Sequence, residues 1–118
     1  MEIFVGGEAT SSTVNRMALR RLSTNGATPT NQVPAALNSL SAASVSQGYV
    51  AATTGPTIAS TQHLIHVPFN AFGGVVRWVA APGEEVWATA STAPTGELVF
   101  DSISGIGVVS SDIKFEEV

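Results

Sequence analysis

Cysteine is absent from the 118 residues, which excludes a disulfide framework and any thiolate metal site and leaves the redox compartment open. Charge is scarce. Asp, Glu, Lys and Arg make up 12% of the chain, about half the usual share, and none occurs from Leu22 to Val76. Ser, Thr, Asn and Gln interrupt this stretch throughout, so it is no membrane span, and it lacks the high charge that keeps many chains disordered. It reads as surface meant for contact. Small uncharged side chains let backbones approach closely, and burying them between subunits desolvates no unpaired charge.

Aromatic residues are few, five Phe, two Trp and one Tyr, so the core must be built mainly from Val, Ile and a few rings. No apolar run reaches the roughly 20 residues that spanning a bilayer requires. The opening Met-Glu-Ile-Phe-Val-Gly-Gly has neither the positive start nor the long apolar stretch of a secretory signal. A soluble chain with no membrane partner is expected. Lys114 is the single lysine, and the net charge of −4 is segregated. Met1 to Arg21 sums to +1 and Arg77 to Val118 to −5. Phosphate binding draws on clustered positive charge, so no nucleic-acid partner is expected. Arg16, Arg20 and Arg21 form the one basic patch, suited to a solvated face or an acidic neighbouring subunit.

What is present favours strands. Eleven Gly and six Pro among many Ser and Thr point to turns and an all-β fold. Glu2 to Val5 reads as a short strand stopped by Gly6-Gly7. Between Ser12 and Leu22, the spacing of Val14, Met17, Ala18 and Leu22 fits a short amphipathic helix, and a strand through Met17 and Leu19 fits nearly as well. Residues 23–62 are low in complexity. Leu37 and Leu40 allow a helical turn or two there, and Tyr49 to Ala52 allows a strand. Their scattered aliphatics cannot offset the roughly 1–2 kcal/mol per residue of backbone ordering, so an arm laid on a neighbouring subunit is expected.

Farther on, strands are expected at Thr61 to Phe69, Gly73 to Ala81, Glu84 to Ser91 and Glu97 to Ile103. Ile106 to Val109 with Ile113 to Val118 would form a last pair. Their spacing is that of an antiparallel sandwich or jelly-roll-like barrel. The expected organisation is an N-terminal arm over 1–48, including the element around Ser12 to Leu22, and a compact β domain over 49–118. Ala81-Pro82-Gly83-Glu84 has the residues of a type II turn, Pro fixing φ near −65° and Gly accepting φ > 0. Folding back there would set Trp78 directly across from Trp87. Such a pair is either a hairpin clasp or a platform for stacking a sugar or anchoring a partner.

Chemistry is thinly provided. His63 and His66 are three apart, and on a strand that offset sends them to opposite faces. Glu84 and Glu85 diverge for the same reason, and no Gly-x-Ser-x-Gly elbow or phosphate-cradling glycine pattern occurs. Neither catalysis nor a metal or other cofactor is expected.

The segment His66-Val67-Pro68-Phe69-Asn70-Ala71-Phe72-Gly73-Gly74-Val75-Val76-Arg77-Trp78-Val79-Ala80-Ala81-Pro82-Gly83-Glu84-Glu85 resembles one found in small virion proteins of tailed phages. The resemblance covers about a fifth of the chain. It implies a decoration, cement or related accessory role, carried by β-rich folds that assemble as small symmetric oligomers and bridge capsid subunits with extended arms. On that basis the expected partners are a second and third copy of the chain (dimer or trimer) and the major capsid protein or other virion subunits. The residues expected to make these contacts are Arg16, Arg20, Arg21, Leu37, Leu40, Tyr49, Trp78 and Trp87. The competing reading is a carbohydrate- or receptor-binding β module of a phage fibre or tail, with Tyr49, Trp78 and Trp87 as its face.

Overall fold

The computed structural model describes residues 1–24, 26–28, 30–44, 46–50, 54–59, 63–88, 97–105 and 107–117. Among them the chain forms nine strands and no helix: β1 (Glu2–Gly7), β2 (Val14–Thr24), β3 (Thr30–Gln32), β4 (Gly48–Val50), β5 (Thr57–Ile58), β6 (Ile65–Asn70), β7 (Val75–Val79), β8 (Leu98–Ser104) and β9 (Val109–Lys114). All pair antiparallel. One sheet runs β7-β1-β9. In the other, β2 is central, with β5 and β6 along one edge and β8 along the other, and β3 and β4 form a separate ribbon.

The two sheets face each other across the core. Val5 comes from one and Met17, Val67 and Phe69 from the other, and Ile65, Val76, Phe100 and Val109 pack around them. Register accounts for this packing. Ile3 lies opposite Trp78 and Val5 opposite Val76, while Asn15, Met17 and Leu19 lie opposite Phe69, Val67 and Ile65, so alternate residues turn inward. Pro68 sits in β6, whose only partner strand among the described residues is β2, in keeping with proline's restriction to sheet edges.

Within the expected helix, residues 14–22 are therefore strand, part of β2, and the helical spacing of Val14, Met17, Ala18 and Leu22 is overridden by pairing on both sides of β2. Leu37 and Leu40 lie in bends and a turn rather than in a helix, with Ser41 N–H donating to the Asn38 carbonyl at 3.0 Å. The expected division of the chain also differs from the distribution of the core. Residues 1–24 are not an arm, because β1 and β2 are the central strands of the two sheets. The expected last pair is a single strand, β9, which returns along β1 with Glu2 opposite Lys114 and Phe4 opposite Asp112.

The Pro82-Gly83 turn forms as expected, with Gly83 at φ 86° and Glu84 N–H donating to the Ala81 carbonyl at 2.9 Å. The hairpin beyond it does not. β1 takes the place beside β7, so Trp78 faces Ile3, and residues 84–88 run outside any strand toward the end of β2. There Arg21 Nη1 donates to the Trp87 carbonyl at 3.1 Å. Trp78 and Trp87 are thus not cross-strand partners. A type II turn matches the twist of a two-residue hairpin poorly, which removes the local preference for folding back. The remainder of the expected strand, 89–91, lies outside the described residues, as do 51–52, 61–62, 106 and 118 of the other expected strands.

Two polar corners pass the chain between the sheets. At the first, the Asn70 side-chain oxygen accepts from the Phe72 and Thr13 amides at 2.9 and 3.2 Å, and its Nδ2 donates to Ser12 Oγ at 2.9 Å. At the second, buried Asn15 exchanges two hydrogen bonds with Gly107, donating to its carbonyl at 3.0 Å and accepting from its amide at 3.2 Å. Gly105, at φ 107°, lies against this clamp, and a Cβ there would collide with Asn15 Oδ1 and the Val14 carbonyl.

Candidate partner-binding surface

Solvent exposure among the large apolar residues peaks on one loop. The connection between β3 and β4 carries Val33, Leu37 and Leu40, the last two 86% and 92% exposed, and holds no charge. Its far end is pinned by Glu117, whose Oε1 accepts from Ser44 Oγ at 2.8 Å and from the Ser46 amide at 2.6 Å. Between the loop and the chain end lies a groove of about 600 Å³, lined on one side by Pro34 to Leu37 and on the other by Asp112 to Glu117. The loop therefore stands off the sandwich. Its leucines touch no core, so the entropy of ordering them is not offset within one chain.

The other expected contact residues are scattered. Arg16 is exposed on β2. Arg20, next but one on the outward face, is bound within the chain as a bidentate pair with Asp101 of β8, Nε to Oδ1 at 2.9 Å and Nη2 to Oδ2. Arg21 holds the Trp87 carbonyl. Tyr49 is exposed on β4 and its hydroxyl bonds Gln47. Trp78 is half-buried against Ile3, while Trp87 is 61% exposed and borders a small cavity of about 80 Å³ with Met1, Val86 and Phe115. The structure thus brings Arg21 to Trp87 but separates the two Trp residues, and it gives Arg20 an internal task. Pairing of Arg20 with Asp101 depends on strands far apart in sequence, and no local signal marks it.

His63 and His66 come together instead of diverging, with ring centroids 5.3 Å apart. His63 precedes β6, so strand alternation does not apply to it. Among the described residues no group of three or more His, Cys, Asp or Glu is placed to hold a metal ion.

Two carboxylates and one guanidinium are shifted by neighbours at the surface. Arg77 Nε donates to Glu2 Oε1 at 2.6 Å across β7 and β1, which lowers the Glu2 pKa and raises that of Arg77. Glu85 is lowered by its own amide and by that of Gly83, which donates to Oε2 at 2.9 Å. These groups tie the turn and the outer face of the first sheet. Compared with known protein families, with curated proteins and with solved structures, the chain matches none.

Proposed function

We propose that this chain is a non-enzymatic structural protein of a virus particle, a capsid decoration or cement protein of a tailed phage that binds and stabilises the shell as a small oligomer. The observation that carries the reading is the uncharged β3–β4 loop with Leu37 and Leu40 almost wholly in solvent. A loop that lacks both a core to join and charges to keep it hydrated is suited to burial against a partner. It is the part of the expected 1–48 arm that keeps the bridging role. The resemblance of His66 to Glu85 to phage virion proteins falls on β6, its corner and β7, which are scaffold rather than contact surface.

The test is co-sedimentation with shells assembled from the cognate coat protein. Replacing Leu37 and Leu40 together by Ser should abolish binding and leave the thermal transition in place. Undiminished binding would reject the loop as the docking element. A second reading, a carbohydrate- or receptor-binding module of a fibre or tail, is favoured by the exposed indole of Trp87. It has one ring to stack rather than the expected pair. Glycan binding lost in Trp87→Ala, with shell binding absent in the parent chain, would select it.

A further inference from the structure

β9 is an open edge. Among the described residues it pairs with β1 alone, leaving one row of backbone groups without a strand partner. Natural edges are commonly guarded by proline, bulges, charged side chains or a covering loop; β9 has no proline, keeps an unbroken register with β1, and carries one charge of each sign, Asp112 and Lys114. Its sequence is Val-Ser-Ser-Asp-Ile-Lys. Asp112 and Lys114 share the outward face, opposite Phe4 and Glu2, and Ile113 shares the inward face with Ile3.

We infer that β9 is a homodimer edge, which pairs antiparallel with β9 of a second copy about a two-fold axis through Ile113. Symmetry restricts the possible registers. Two identical antiparallel strands related by a two-fold axis must set one residue against itself. Centred on Ile113, the pairing puts each Asp112 directly opposite the other copy's Lys114, twice, with isoleucine on isoleucine between them and Ser111 opposite Phe115. Centring on Asp112 or on Lys114 instead opposes like charges. Only one of the three registers is charge-complementary, so the same two residues select it and reject its neighbours.

Neither charge is committed elsewhere. Asp112 and Lys114 take no part in the ion pairs of Arg20 with Asp101 and of Arg77 with Glu2. Lys114 stands near enough to Glu2 to help lower its pKa, but makes no ion pair with it. Ile113 is 37% exposed at this edge and would be covered. The groove beside β9 separates the edge from the β3–β4 loop, so an incoming strand enters between them. The product is a continuous six-stranded sheet, β7-β1-β9 joined to its symmetry mate.

The pairing deepens the assembly part of the proposed function, but it is read from the strand's own pattern and tested without shells. Loss of shell binding with the dimer intact would therefore count against the former alone. The experiment is sedimentation equilibrium of the full chain and three variants. The parent chain and the swap D112K/K114D should both dimerise, since the swap restores complementarity. D112K alone and K114D alone should each dimerise at least about tenfold more weakly, because every cross-strand charge pair becomes like-signed. Mixed in equal amounts, those two should recover a dimer, each lysine of one chain now facing an aspartate of the other. A parent chain that stays monomeric overturns the proposal, and so do single variants that dimerise as well as the parent or a mixture that fails to dimerise.

Discussion

Leu19 and Leu40 are the same residue under opposite regimes, one 1% and the other 92% exposed. Leu19 belongs to β2, which is paired on both sides and packed between sheets. Leu40 belongs to a loop that, like β6, holds no Asp, Glu, Lys or Arg. The difference teaches that poverty of charge serves two ends in this molecule. From Ile65 to Asn70 it lets a strand bury Val67 and Phe69 in the core, and from Val33 to Ser44 it leaves a surface that water solvates poorly. Strand pairing separates the two uses, because β6 finds β2, whereas the loop between β3 and β4 is held at Ser44 and Ser46 by the side chain of Glu117.

The largest expected break of this contrast is deletion of residues 1–45. It removes the central strand of each sheet, so circular dichroism should show no cooperative transition; a folded remnant would refute the central placement of β1 and β2. Next is Leu19→Ala. A buried leucine truncated in a packed core should lose about 2–5 kcal/mol in urea unfolding, whereas Leu40→Ala should change stability by less than about 0.5 kcal/mol. Asn15→Ala comes third, at about 1–3 kcal/mol, because it strands the Gly107 amide and carbonyl in a closed corner.

The smallest effect concerns acid. Glu2 has a lowered pKa in the folded chain because of Arg77, so the stabilisation is complete above the unfolded glutamate value of about 4.3. It fades as pH falls through the folded value. Glu2→Gln should remove only that segment of the pH–stability curve, leaving the neutral range little changed, since exposed pairs contribute little. An acid limb identical in the variant would show that the pair does nothing.

Much of the fold was legible where signals are local. Strand runs bounded by turn residues marked β1, β6, β7 and β8, and Pro82-Gly83 marked its turn with the correct Gly conformation. What lay beyond reach was long-range pairing. Val14, Met17, Ala18 and Leu22 satisfy a helical stripe, and only the presence of β6 and β8 on either side makes β2 a strand. Trp78 and Trp87 satisfy a hairpin, and only the competing edge of β1 dissolves it. The same holds for the surface. The lack of charge around Leu37 and Leu40 is plain in the sequence, whereas the capture of Arg20 by Asp101 and the meeting of His63 with His66 depend on where distant strands and strand ends fall.

Amide hydrogen exchange across the whole chain, free and with cognate shells, tests the division between scaffold and contact surface most directly. The account predicts slow exchange in β1, β2 and β6 of the free chain, fast exchange over 33–44, and new protection confined to that loop once shells are added. A loop already as protected as β2 in the free chain, or protection gained elsewhere while 33–44 stays fast, would contradict it.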